Sequence, residues 1–217
     1  MAFFEELKTL EGVGTQTPLV ELLKKLVQAH KKTLLERHLD NIYNELKDMI
    51  RQRVIDGEYD QKDDKKRVKG VFRFKSFVPM DLDFQPPYPD GATPEMVKEA
   101  IAHANGKSIT SRVRLEPTFR LQKSKSVSLF GTRTKYEGEI SLEGDTYEFF
   151  KALCERMNED GIKLKSFTIP VFSVGKLVNL STYDHRIKCS YVEYEDRDDT
   201  LNYDDLSYIM IKYSVLF

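Results

Sequence analysis

The sequence predicts an α+β protein: a long N-terminal helical arm, then a mostly antiparallel sheet with two packed helices. Three observations predict it. No glycine or proline occurs between Pro18 and Gly57, so nothing interrupts a helical pattern there. Beyond that run, several segments alternate apolar and polar residues with the period of two that strands require. Two other stretches, 94–105 and 146–160, space apolar residues three and four apart, as helices buried by one face do.

The elements follow in order. Residues 2–11 read as a short helix with Phe3, Phe4, Leu7 and Leu10 on one side and Gly12 as its stop. Thr17 and Pro18 then supply an N-cap and a first-turn proline. The helix they open runs to about residue 55. Its apolar stripe changes face: Leu19, Leu23, Leu26 and His30 cluster in one direction, and Leu35, Leu39, Ile42, Leu46 and Met49 in roughly the opposite one. The residues at the change (Gln28-Ala29-His30-Lys31-Lys32) include no breaker, so one continuous helix with two packing surfaces is predicted. Such a helix is longer than the single domain the rest of the chain would form. One end should therefore reach past its globule with an apolar stripe open to a partner.

Residues 56–66 (DGEYDQKDDKK) form a charged, hairpin-like connection. The strand from Arg67 to Val78 places Val68, Phe72, Phe74 and Val78 on one face and Arg67, Lys69, Arg73 and Lys75 on the other. A loop over 79–94 holds five of the eight prolines. Thr93-Pro94 opens a second helix, with Val97, Ala100, Ile101 and Ala104 inward and Gly106 as its stop. From Ile109 to Gln122 the strand pattern returns: Ile109, Val113, Leu115, Phe119 and Leu121 face inward, and Arg112, Arg114 and Arg120 outward.

Lys123-Ser124-Lys125-Ser126 leads into 127–130, Gly131 turns the chain, and 133–142 forms the next strand. Gly144-Asp145 begins a third helix with a capping-box-like pair, Asp145 and Glu148, and a buried stripe of Tyr147, Phe150, Leu153, Cys154 and Met157. Three strands close the chain, over 162–174, 186–195 and 206–217. The first and last are apolar on both parities, which predicts central strands covered on both sides. The division expected is an arm, residues 1–60, and an α+β domain, residues 61–217.

A net charge of −1 excludes a protein that coats nucleic acid by its total charge, so anion binding must come from local segregation. Segregation is present. Residues 107–135 hold eight basic side chains against Glu116, and 193–205 hold seven acidic ones against Arg197. These two runs could neutralise each other across strands. Cys154 and Cys189 match no metal or redox spacing and read as reduced core residues. No signal peptide opens the chain and no apolar run approaches the ~20 residues of a membrane span, so a cytoplasmic protein away from membranes is expected.

Lys69-Gly70 invites comparison with the signature strand of RNA-recognition motifs. The comparison fails on parity, since Phe72 and Phe74 lie on the core face and not on the open one. His30 and His38 are about 12 Å apart along a helix, too far to share a metal. His185 has no nucleophile motif beside it, and Gly12-Val13-Gly14-Thr15 lacks the strand and lysine of a phosphate loop.

These readings converge on a non-catalytic interaction or assembly protein. Leu35, Leu39, Ile42, Leu46 and Met49 would meet a protein partner or a second copy in the manner of a coiled coil. Lys69, Arg73, Lys75, Arg112, Arg114, Arg120, Lys123, Lys125, Arg133 and Lys135 would meet a nucleic acid or an acidic protein. The alternative is a nucleic-acid-binding protein without sequence preference, using the same basic face. A further alternative is a divalent-metal-dependent nuclease, resting on Asp81, Asp83, Asp90, Glu137 and Glu139, which nothing in the sequence singles out from other carboxylates. No catalytic residue, metal ligand or cofactor is assigned.

Overall fold

In the computed structural model of the chain, residues 18–62, 65–80, 84, 86–89, 91–105, 111–129, 131–171, 176–181, 189–195 and 207–217 are described. The expected helix over 2–11, the glycine pair near residue 13, Asp81, Asp83, Asp90 and His185 lie outside them. Helix α1 (Pro18–Ile55) is continuous over 38 residues, about 57 Å at the helical rise. Its buried residues change face as the sequence predicts. Val20, Leu23, Leu26 and Val27 are buried in the first half, and Leu35, Ile42, Leu46 and Ile50 in the second. Both stripes are used. The one expected to stand open for a partner is buried at Leu35, Ile42 and Leu46 and half-buried at Leu39 and Met49. Helix length alone does not predict an exposed end when each half has its own core to cover.

The contacts divide the chain into two compact units, Met1–Arg37 with Val78–Val113 and His38–Phe77 with Arg114–Phe217. In the first, α2 (Pro94–Asn105) starts where Thr93 Oγ1 accepts from the Met96 amide at 3.3 Å, and it buries Val97 and Ala100. The His30 ring meets Phe84 edge-on at 5.5 Å. Strands β3 (Phe77–Met80) and β4 (Ser111–Arg114) form a two-stranded sheet.

The second unit holds the larger sheets and α3 (Gly144–Glu159). Strands β1 (Asp60–Lys62), β2 (Lys65–Lys75), β7 (Ile162–Val171), β8 (Lys176–Ser181) and β10 (Tyr208–Leu216) build an antiparallel sheet in the order β1-β2-β10-β7-β8. Strands β5 (Thr118–Ser128), β6 (Gly131–Ser141) and β9 (Cys189–Glu195) build a second one, in the order β5-β6-β9.

One face of the five-stranded sheet is core. Val68, Phe72 and Phe74 of β2 lie beside Val215, Ile211 and Ile209 of β10, and Ile211 lies beside Phe167 of β7. Rings continue the packing, Phe74 to Phe149, Phe149 to Phe150 and Phe150 to Phe167, with centroids 4.9–6.5 Å apart. Gly70 sits opposite Tyr213 because an added Cβ would stand 2.5 Å from Tyr213 Oη and 2.8 Å from Arg53 Nη1. Helices α1 and α3 are joined by Asp40–Arg156, Tyr43–Asp160 and a 3.0 Å Lys47–Asp160 pair. The Tyr43 hydroxyl, followed by Lys47, holds the Asp160 carboxyl below its usual range.

Four expectations need correction. The predicted strand over 109–122 is two strands in different sheets, because Pro117 has no amide to donate and interrupts the ladder between β4 and β5. The predicted strand over 67–78 divides at Ser76, which is fully buried and whose amide donates to Ser207 O at 2.9 Å. Strands β10 and β7 are central in their sheet as expected, and Ile169 and Pro170 are buried on opposite parities of β7, but its apolar residues at 162 and 164 owe their parity to a bulge. The register with β10 shifts at Lys212/Tyr213, so Ile162 and Leu164 share a face with Phe167 and Ile169. In β10 itself the even positions stay half-buried or exposed. Finally, Glu143 is the N-cap of α3, without a side-chain bond, and Asp145 lies in the first turn. Phe149 is buried in that helix while Tyr147 is 36% exposed. Strand β8 was not foreseen.

Candidate anion-binding face

The outer face of the five-stranded sheet is built by the same alternation that fills its core. On β2, Lys69, Val71, Arg73 and Lys75 are exposed and Arg67 is half-buried. The register carries this face across three strands. Lys69 lies opposite Ser214 of β10, and Ser214 opposite Lys163 of β7; Val71 lies opposite Lys212, and Lys212 opposite Ser166. Lys163, Lys165 and Lys212 are all exposed, with Lys165 at the bulge. Cations two apart on β2 stand about 6.7 Å apart, and Lys69 and Lys163 about 10 Å across the intervening strand.

The charge is lopsided. Strands β2, β7, β8 and β10 contain ten basic residues (six in β2, two in β7, one each in β8 and β10) and no aspartate or glutamate. At the sheet edge Asp60 pairs with Lys69 at 3.0 Å, both side chains more than half exposed, an interaction of small worth in water. The Arg73 guanidinium lies 4.1 Å over the Tyr208 ring, so this half-buried aromatic is already covered.

Helix α1 fixes the far side of β2. Arg53 Nη1 donates to Lys69 O at 2.9 Å, and His38 Nε2 donates to Lys75 O at 3.0 Å. The His38 ring also stacks on Phe149 and meets Phe74. Burial holds its pKa below the ordinary histidine value, against the opposing pull of the Lys75 carbonyl.

The predicted basic residues are distributed over three sheets. Lys69, Arg73 and Lys75 lie on the face just described, Arg112 and Arg114 in β4, Arg120, Lys123 and Lys125 in β5, and Arg133 and Lys135 in β6. The ladder neighbours of β2 are β1 and β10, so neither β4 nor β5 extends its row. In the three-stranded sheet the register sets Arg120 opposite Glu139, Gln122 opposite Glu137, Glu137 opposite Glu193, and Lys135 opposite Glu195. The acidic run thus begins on the strand beside β6.

Sequence reasoning missed Lys163, Lys165 and Lys212. The signal was present: a lone lysine inside an apolar strand marks the position that must face water.

Among the described residues no group of three or more His, Cys, Asp or Glu side chains is placed to hold a metal ion. Glu137 and Glu139 are ladder partners of Gln122 and Arg120. Cys154 is a free, buried thiol whose pKa burial pushes up to about 12, which makes it a poor nucleophile. No described helix is long and apolar enough to cross a membrane. Comparison of the chain with protein-family models, with curated proteins and with solved structures gives no match.

Proposed function

We propose that this is a non-catalytic interaction protein that engages an anionic partner with the outer face of its five-stranded sheet. One observation carries the reading: Lys69, Arg73, Lys75, Lys163, Lys165 and Lys212 are exposed on strands that contain no carboxylate, against Asp60 of the edge strand β1, which pairs with Lys69. Charge segregated this way on a protein of net charge −1 gives a local positive field that the whole molecule lacks. The α1 stripe supports partner binding less well, since Leu35, Ile42 and Leu46 are buried within the chain.

Retention on a heparin column tests the proposal. Lys69→Glu with Lys212→Glu should elute at clearly lower salt than the parent, with an unchanged melting temperature. Arg120→Glu with Lys125→Glu makes the same change in net charge on the other sheet and should elute between them. Equal elution of the two double variants would remove the face from the argument.

A further inference from the structure

The outer face has a chemistry that narrows the class of partner, and the narrowing rests on the reading just given. Its cations form rows across three strands, separated by short neutral residues: Ser214 between Lys69 and Lys163, Ser166 beside Lys212, Val71 on the other side of Lys212. Short side chains let a partner's backbone approach the sheet, and serine hydroxyls donate to phosphate oxygens beside lysine and arginine.

The open groove of about 520 Å³ in the first unit is lined by Lys24, Lys25, Gln28, Ala29 and 87–89. The groove of about 320 Å³ in the second is lined by α1 residues with Asp160, Ile162, Val215 and Phe217. Neither includes a cation of the outer face. Cations spread along three neighbouring strands suit a repeating polyanion better than a discrete small anion, which needs convergent groups in a concavity.

The aromatic content decides between kinds of polymer. Recognition of single strands draws much of its energy from bases stacked on exposed aromatic rings. Among the described residues of this face the aromatic is Tyr208, covered by Arg73 at 4.1 Å, while Phe72 and Phe74 are buried on the opposite side. Without stacking, affinity follows phosphate charge density, and a duplex carries one charge per ~1.7 Å of axis against ~3.4 Å for each strand. We infer that the outer face of the five-stranded sheet binds the phosphate backbone of duplex nucleic acid without reading its sequence.

Fluorescence anisotropy on the full chain tests this, using labelled duplexes of about 20 base pairs with two unrelated sequences, each separated strand, polyglutamate of similar charge, and phosphatidylcholine–phosphatidylserine vesicles. Both duplexes should bind equally and more tightly than either strand. The log-affinity against log-salt slope should steepen by about 0.9 for each phosphate neutralised. Lys69→Glu with Lys212→Glu should reduce duplex affinity at least tenfold at low salt, and the milder Lys69→Gln with Lys212→Gln should flatten the slope by about two. Circular dichroism and melting confirm that the variants fold.

Single strands binding as tightly as duplexes would overturn the inference, as would a difference between the two sequences. Polyglutamate or vesicles binding more tightly than duplex, with the same sensitivity to both double variants, would overturn it while leaving the anionic-partner proposal standing. No polyanion binding at all would end both.

Discussion

In the five-stranded sheet, β2, β7, β8 and β10 hold ten lysines and arginines and no carboxylate. In the three-stranded sheet, β5, β6 and β9 hold five basic residues, Arg120, Lys123, Lys125, Arg133 and Lys135, and four glutamates, 137, 139, 193 and 195. Both sheets descend from basic, alternating sequence. They differ in how many carboxylates the register sets beside cations: Asp60 beside Arg67 at the edge of the first, with Ser214 and Val71 beside Lys69 and Lys212, against Glu139 and Glu195 beside Arg120 and Lys135 in the second. The same alternating basic pattern thus meets different ladder neighbours in the two sheets.

The largest effects concern the core that both faces depend on. Leu46→Asp buries an unpaired charge at a fully buried position and should abolish cooperative unfolding, read by thermal denaturation. Phe167→Ala, which removes a ring packed at 4.9 Å from Phe150, should cost about 3–5 kcal/mol in denaturant titration. If either left the melting curve unchanged, the inner face of the five-stranded sheet would not be the core, and the comparison of outer faces would lose its footing.

Gly70→Ala sharpens the contrast from beneath. Its Cβ would press on Tyr213 and Arg53, so a loss of about 1–3 kcal/mol is expected with every outer cation retained. Phosphate binding should then persist below the lowered melting temperature.

Histidine 38 distinguishes the two sheets by pH, since β5, β6 and β9 contain no histidine. Its folded pKa lies below the unfolded value of ~6.5, so the unfolded chain takes up the proton first. The stability it contributes is present above pH ~6.5 and is lost as pH falls through the folded pKa. Melting temperatures followed from pH 7.5 down to about 5 should fall more in the parent than in His38→Gln. Equal profiles would remove His38 from the account of how β2 is held.

The smallest effect tests the three-stranded sheet directly. Lys135→Glu sets like charges opposite Glu195 and should cost about 0.2–1 kcal/mol, and Lys135→Glu with Glu195→Lys should recover it. A lone Lys135→Glu that is neutral would mean that this ladder does not neutralise its charges.

Local chemistry alone carried much of the fold. The absence of any breaker from Leu19 to Asp56 made α1 one helix, and its change of stripe announced two packing surfaces. The alternation in β2 gave the correct inward row, because a strand of period two has no other way to bury Val68, Phe72 and Phe74 together. Thr93-Pro94 was equally legible, since a helix cap is decided within a few residues.

Three things were decided only in three dimensions. The bulge that moves the inward face of β7 from Leu164 to Phe167 appears in the sequence only as an apolar run, because parity has meaning only against a paired strand. The α1 stripe of Ile42 and Leu46 could have met another chain or this one, and spacing is the same in both cases; packing within the second unit decided it. Which cations stand beside carboxylates depended on the register and the order of strands far apart in the chain, such as β2 beside β10 and β6 beside β9. Side-chain alternation is a local, steric property, so the sequence determined the faces; charge complementarity acts between neighbours in space, so only the tertiary structure determined which cations stand opposite carboxylates.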